Sequence, residues 1–166
     1  MDRTVHIALL RSELLYDIGS MFYVEGDLAE RDTGTEHHQV IDGIVGENVN
    51  RIIRMLNLCQ TKLVELLYPF VKSENEQIEL RDNTLTSDYS YCFSLTIPDG
   101  FAESSVNRLN ELMHQYMVCY AVADWLSITK AGAEAKWNEK CAYLEQEMRS
   151  TINRRMKRVR RSLTPW

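Results

Sequence analysis

Apolar residues recur at three- and four-residue steps along most of this 166-residue chain, and this spacing most constrains what the chain can fold into. Side chains at such steps lie on one face of an α-helix. The spacing predicts four helices, over residues 4–24, 36–70, 104–128 and 129–162. Because each helix must bury its apolar face against another element, we expect a mainly α, four-helix bundle-like domain.

Two glycines fall in the first turns of the second predicted helix. Gly43 and Gly46 are each expected to cost roughly 1 kcal/mol relative to alanine at an interior helical position. We therefore expect either a break in the helix near these glycines or a close contact with another helix. Pro69 is expected to end this helix, since proline lacks the N–H that a helix interior needs.

The period changes from helical to alternating between residues 77 and 97. Ile78 and Leu80 alternate with polar residues, turn-forming residues follow at 82–88, and Tyr89, Tyr91 and Phe93 begin a second alternating run. This pattern predicts an inserted β-hairpin at about 77–97. Two strands alone are marginal in water, so the aromatic face is expected to lie on the helices or to pair with another copy of the protein. In the second case Tyr89, Tyr91 and Phe93 are subunit contacts.

The charge of the chain is divided between its body and its C-terminus. Seven of the 19 basic residues, and no acidic residue, lie between Arg149 and Trp166. The other twelve basic residues accompany all 24 acidic residues, so residues 1–147 carry a formal charge of −12 and the C-terminal segment carries +7. The chain of 166 residues, 45% of them hydrophobic, is long enough to bury a core, and we expect a helical domain at 1–153 followed by a basic tail at 154–166.

Three roles fit such a tail. It can be a solvated end, a nucleic-acid arm that neutralises phosphates, or a segment that docks into an acidic protein groove. The excess of Arg over Lys and the apolar terminus favour docking, because guanidinium groups bind carboxylates in a bidentate manner and large apolar side chains anchor interfaces. The predicted docking residues are Arg154, Arg155, Lys157, Arg158, Arg160, Arg161, Leu163 and Trp166.

Motifs that would indicate an enzyme are not recognisable in the sequence. The stretch "GIVGEN" lacks the Lys-Ser/Thr of a phosphate-binding loop, and no serine or cysteine stands in a nucleophile motif. His37 and His38 are adjacent, so on a helix they point about 100° apart and cannot bind one metal ion together. The four cysteines have no metal-binding or redox spacing and are interpreted as reduced packing residues. We expect no catalytic residues, no metal and no cofactor, and neither a signal peptide nor a membrane span.

Three stretches together have a familiar layout: "HHQVIDGIVGENVNRIIRMLNLCQTKLVELLYPF", "YSYCFSLTIPDGF" and "HQYMVCYAVADWLSITKAGAEAKWNEKCAYLEQEMRSTINRRMKRVRRSLTPW". From about residue 36 onward the chain resembles small proteins encoded among the virion genes of phages and prophages of gut Bacteroidales. The shared outline is a long helix, a strand pair ending in proline and an aromatic residue, and a last helix ending in Arg-rich sequence. This outline is also similar to the helical head-to-tail adaptors of tailed phages, while residues 1–35 have no counterpart in it.

The resemblance implies a non-enzymatic virion protein that forms a twelve-copy ring beneath the portal protein. The segment from Arg154 to Trp166 would bind the portal, the opposite side would meet the next tail or stopper protein, and DNA would pass through the channel without specific binding. Such a protein would occupy the host cytoplasm during assembly and the neck of the virion afterwards. The alternatives are a small nucleic-acid-associated accessory protein that uses the same tail, and a cytoplasmic helical scaffold with no viral connection.

Overall fold

A computed structural model describes residues 2–33, 41–44, 46–68, 70–71, 83, 85, 90–98 and 100–154. Within these ranges the chain is mainly helical, with one two-stranded antiparallel sheet, which confirms the expected mainly α class. The bundle-like arrangement of the helices stays a prediction. The elements are, in chain order, β1 (Asp2–Leu10), α1 (Arg11–Thr33), a 3₁₀ helix (Asp42–Ile44), α2 (Asn48–Leu66), β2 (Ser90–Pro98), α3 (Glu103–Thr129) and α4 (Glu134–Ile152).

The N-terminal segment departs from the prediction. Residues 4–10, expected to begin the first helix, belong to strand β1, and helix α1 starts only at Arg11. Ile7 and Leu9 are buried while His6 and Ala8 are exposed, which is the alternation of a half-buried strand. The helical prediction for this segment is wrong because β1 gains a continuous backbone ladder with β2 that a helix would forgo.

Strands β1 and β2 pair antiparallel along their whole length, from Asp2 opposite Pro98 to Leu10 opposite Ser90. The predicted strand β2 is confirmed, and its partner is the N-terminal segment. The first strand expected for the hairpin, at 78–80, lies outside the described residues. The inner face of β2 is covered by the chain itself, with Tyr91 3% exposed and Phe93 2% exposed.

Helix α3 lies at the centre of the described core, in contact with α1, α2 and α4. From Tyr116 to Leu126 every residue is buried except Tyr120 and Asp124, which are half-buried. A helix covered on nearly all sides needs apolar residues on nearly all sides, as α3 has. Helices α1, α2 and α4 together with strand β1 supply the contacts that cover α3.

The break expected near Gly43 and Gly46 is confirmed. The 3₁₀ helix ends at Ile44, Gly46 has a φ of +61°, and α2 begins at Asn48. Gly43 also makes the expected close contact, because a Cβ atom there would lie 2.4 Å from the ring of Phe22. A side chain at this position has no room between the 3₁₀ helix and α1.

Helix α4 is shorter than predicted at both ends. It begins at Glu134 instead of residue 129, after a turn in which Gly132 has a φ of +93°. The hydroxyl of Thr129, where the predicted helix begins, donates to the carbonyl of Trp125 in the last turn of α3. The helix ends at Ile152, whereas the prediction continued it to residue 162.

Polar contacts connect α3 to its neighbours at the edges of the core. Arg51 of α2 donates from both Nε and Nη2 to Asp124, at 3.0 Å and 2.9 Å. His114 lies 2.8 Å from Asp17 of α1. No helix in the described part of the chain has the length and apolar character needed to cross a membrane.

Candidate functional surfaces

The end of α4 fixes the point from which the basic tail leaves the domain. Met148, Thr151 and Ile152 are buried, so the last turn of the helix is held in the core. The side chain of Asn153 donates to the carbonyl of Arg149 at 2.8 Å, and the backbone N–H of Arg154 donates to Thr151 at 3.2 Å. These bonds satisfy carbonyls that the helix leaves unpaired when it ends.

Arg154, the first residue of the predicted tail, is exposed at this anchored helix end. It is the one predicted docking residue whose position the structure describes. The others lie outside the described residues: Arg155, Lys157, Arg158, Arg160, Arg161, Leu163 and Trp166.

Two polar contacts fix the position of α4 along α3 near this end. Arg108 forms an ion pair with Glu147, and the hydroxyl of Tyr116 donates to Glu145 at 2.7 Å. Both carboxylates lie in the last three turns of α4. The end of α4, from which the tail leaves, is therefore fixed to α3 by these two polar contacts as well as by its buried apolar residues.

Tyr116 and Glu145 also line a polar pocket of about 460 Å³ between α2, α3 and α4, together with Lys62, Glu65, Tyr68 and Arg149. Burial, and then the hydrogen bond to Glu145, raise the pKa of Tyr116 above its ordinary value. The phenol therefore stays protonated and acts as a hydrogen-bond donor. It is poorly suited to accept a proton or to attack a substrate at neutral pH.

Three of the four cysteines belong to the buried core. Cys59, Cys119 and Cys141 are buried free thiols, as expected for packing residues, whereas Cys92 is exposed on the sheet. Burial raises the pKa of all three buried thiols, and that of Cys141 reaches about 12. A protonated buried thiol is a poor nucleophile. Among the described residues, no group of three or more His, Cys, Asp or Glu side chains is placed to hold a metal ion.

An exposed apolar groove runs along the outer face of α1 and has a volume of about 570 Å³. We call it the α1 groove, and it is lined by Leu15, Tyr16, Gly19, Tyr23, Val24 and Ile44. Tyr16 is 75% exposed and Tyr23 is 58% exposed. Two exposed aromatic rings beside an apolar groove are typical of a protein contact surface. Tyr16 and Tyr23 stand seven residues apart on one helical face, a spacing that could have indicated this surface from the sequence.

The predicted subunit contacts of the strand have a different environment. Tyr91 and Phe93 lie in the core, and the hydroxyl of Tyr91 donates to Asn57 of α2 at 3.1 Å. Tyr89 lies outside the described residues. The aromatic face of β2 therefore rests on the helices, the first of the two expected alternatives, while contact between copies through these residues stays a prediction.

Sequence reasoning also missed a polar clamp at Asn83. Its side-chain N–H donates to the carbonyl of Arg54 at 3.1 Å, and its side-chain oxygen accepts from Asn57 at 2.9 Å. Arg54 returns a bond to the backbone carbonyl of Asn83 at 2.6 Å. This exchange holds one residue of the connection between α2 and β2 against α2, and no sequence pattern would have revealed it.

No protein-family model matches the chain, and no curated protein or solved structure is significantly similar to it. Two features stand out: the division of charge at the end of α4, and the exposed α1 groove.

Proposed function

We propose that this protein is a non-enzymatic structural protein of a tailed-phage virion, a ring-forming head-to-tail adaptor that docks to the portal protein through its Arg-rich C-terminus. The proposal rests on the resemblance in layout and on the charge division of the chain. In this role the protein occupies the neck of the virion, between the portal and the next tail or stopper protein. A twelve-copy ring is the assembly that the resemblance implies.

The observation that carries the proposal is the +7 charge of residues 149–166, which begins where α4 is anchored. The segment leaves the domain at the end of α4, which is already fixed in the core. Docking of the segment therefore requires no further ordering of the helical domain, which keeps the entropic cost of binding low. Six of the seven basic residues are arginine. Arginine suits a carboxylate-bearing protein groove better than lysine does, because its guanidinium donates two parallel hydrogen bonds.

The −12 charge of residues 1–147 supports passage of DNA without binding. Twelve acidic bodies around a channel would repel the phosphate backbone at close range, and this repulsion acts within about 10 Å at moderate salt. A strongly basic lining would instead hold DNA by counterion release. An acidic body and a basic tail therefore fit a channel protein whose tail binds another protein and whose channel lets DNA pass without binding it.

The α1 groove supports assembly into a ring. A ring needs a heterologous contact, in which one surface of a subunit meets a different surface of its neighbour. Tyr16 and Tyr23 supply large rigid side chains of the kind that anchor such contacts. Replacing both tyrosines with serine is expected to reduce the number of subunits in the oligomer. The chain should stay folded, since both side chains are mostly exposed.

Binding to the purified portal protein of the same virion tests the proposal. Three full-length forms are compared: the native chain, a form with Arg155, Arg158, Arg160 and Arg161 changed to Lys, and a form with the same residues changed to Gln. We expect strong binding by the native chain, weaker binding by the Lys form, which keeps charge but loses bidentate geometry, and little binding by the Gln form. Equal binding by all three forms contradicts portal docking through the tail.

The alternative, a nucleic-acid-associated accessory protein, is favoured by the same run of basic residues without an acid. It makes a different prediction with the same three forms. Duplex DNA would bind the native and Lys forms about equally, with an affinity that falls steeply with salt, by a slope of about −0.9 per phosphate contact. Measuring DNA binding at two salt concentrations beside the portal experiment separates the two functions.

A further inference from the structure

Strand β1 has one edge whose backbone groups point away from β2. The backbone N–H of Thr96 donates to the carbonyl of Phe70 at 2.8 Å, so Thr96 does not bond to Thr4, the residue opposite it. In an antiparallel ladder the bonded and non-bonded pairs alternate. The N–H and C=O groups of Thr4, His6 and Ala8 therefore face outward from the sheet.

These outward groups have no hydrogen-bond partner among the described residues. The side chains of Thr4, His6 and Ala8 are exposed, and Leu10 at the end of the strand is 51% exposed. Natural sheets protect such an edge with lysine, proline, a bulge or a short strand. This edge belongs to a strand of nine residues, and its residues 4–10 include no lysine, arginine, proline or acidic residue.

We infer that the outer edge of β1 pairs antiparallel with β1 of a second copy of this chain, centred on His6. In that register His6 faces His6 of the other copy, and Thr4 faces Ala8. Each of these pairs has its N–H and C=O groups directed at the partner, so all of them can form ladder bonds. The two-stranded sheet of each copy would become one sheet of four strands, which is a more stable size than two.

The side chains of β1 agree with this self-pairing. On the inner face Val5 would meet Ile7 of the other copy, two β-branched residues that pack well across strands. On the outer face Thr4 would meet Ala8, two uncharged residues, and His6 would meet its own counterpart. Arg3 would lie opposite Leu9 of the second copy, at the end of the paired region. Strand β1 is thus complementary to an antiparallel copy of itself, as a twofold contact requires.

This pairing is separate from the proposed portal docking and from the ring contact. A twofold contact uses the same surface on both subunits, whereas a ring contact uses two different surfaces. The pairing uses β1 and leaves the tail untouched. Failure of portal binding would leave this inference standing, and the reverse also holds.

Cross-linking of the full-length protein gives the first test. His6→Cys is made in a Cys92→Ser background, so that the exposed native thiol does not react, and Ser94→Cys in the same background is the matched control. His6 would lie within disulfide reach of its counterpart, whereas Ser94 is one strand further from the proposed axis on the same exposed face. Under mild oxidation we expect covalent dimer from His6→Cys to exceed that from Ser94→Cys by about tenfold.

Particle mass measured by light scattering gives the second test. His6→Pro removes the outward N–H and leaves the ladder with β2 intact, because proline is tolerated at an outward position of an edge strand. His6→Thr keeps the N–H and is the matched control, and circular dichroism checks that both variants fold. We expect His6→Pro to halve the mass and His6→Thr to leave it unchanged. Equal cross-linking of the two cysteine variants, a mass that His6→Pro leaves unchanged, or a native mass of one 19.3 kDa chain overturns the inference.

Discussion

Trp137 of α4 donates its indole N–H to Glu25 of α1 at 3.2 Å, and this carboxylate is only 4% exposed. The ammonium group of Lys136 lies 2.5 Å from the same oxygen of Glu25. Two consecutive residues of α4 thus converge on one buried carboxylate. These contacts tie the first helix of the chain to the helix that carries the basic tail.

Replacing Glu25 tests this connection. Glu25→Ala should lower the free energy of unfolding by about 2–3 kcal/mol, because it removes the carboxylate that accepts from the buried indole N–H of Trp137 and pairs with the ammonium group of Lys136. Glu25→Gln keeps an acceptor for Trp137 and should cost less, because Lys136 is half exposed and its charge can be solvated. Urea denaturation of the three proteins measures the difference. Equal losses for Ala and Gln would show that the indole bond contributes little.

The close approach of Gly43 to the core makes a second prediction. Gly43→Ala should lower the free energy of unfolding by about 1–3 kcal/mol, because the new Cβ atom would press on the rings of Phe22 and Trp125. Gly100→Ala is the matched control, since a Cβ atom there meets nothing within 4 Å. Thermal unfolding should show a lower melting temperature for Gly43→Ala than for the native chain, and almost no change in melting temperature for Gly100→Ala. Equal changes in both variants would mean that backbone conformation, not crowding, determines the effect.

The buried thiols make the stability of the fold sensitive to high pH. Burial raises the pKa of Cys141 from its ordinary value near 9 to about 12, so in the folded chain this thiol stays protonated where the unfolded chain has already lost the proton. The contribution of the protonated Cys141 thiol to the free energy of unfolding is fully present below pH 9, and it is lost as the pH rises from 9 towards 12. For Cys141 the expected fall in the free energy of unfolding is on the order of 1 kcal/mol per pH unit within this range.

Urea denaturation at several pH values between 7 and 10.5 measures this effect. Cys141→Ala should show a shallower decline above pH 9 than the native chain, while Cys92→Ser, at an exposed position, should follow the native curve. A decline that is identical in the native chain and Cys141→Ala would assign the high-pH loss to other groups.

The helices could be read from the sequence because local spacing decides them. The apolar stripe of α3 predicts a helix at 104–128, and the structure places it at Glu103–Thr129. Strand β2, predicted at 89–97, lies at Ser90–Pro98. Both segments repeat one period over many residues, and no competing period is present.

Strand β1 could also have been read, because Thr4, His6 and Ala8 alternate with apolar residues. The prediction failed because Val5 and Leu9 are also four residues apart and continue the helical stripe of α1. The choice between the two periods depends on pairing with β2, a contact between distant parts of the chain. Local spacing carries no information about such a partner.

The polar contacts of the core were equally out of reach of sequence reasoning. Nothing in the sequence distinguishes Glu25 from the other acidic residues, and its burial depends on how α1 and α4 meet. The cysteines show the same limit: three are buried as expected, whereas Cys92 falls on the outer face of the sheet because strand alternation places it there.

The measurement that bears most directly on the central claim is the affinity of the full-length chain for the portal protein, compared with the form in which the four tail arginines are changed to Gln. Isothermal titration at physiological salt should give a Kd for the native chain at least about 100-fold lower than for the Gln form, since several charge-assisted contacts of about 1.5–3 kcal/mol each would be removed. The Lys form should fall between the two. Equal affinities for the native and Gln forms, or binding of the native chain to duplex DNA in preference to the portal, would contradict the account of the tail as a portal-docking segment.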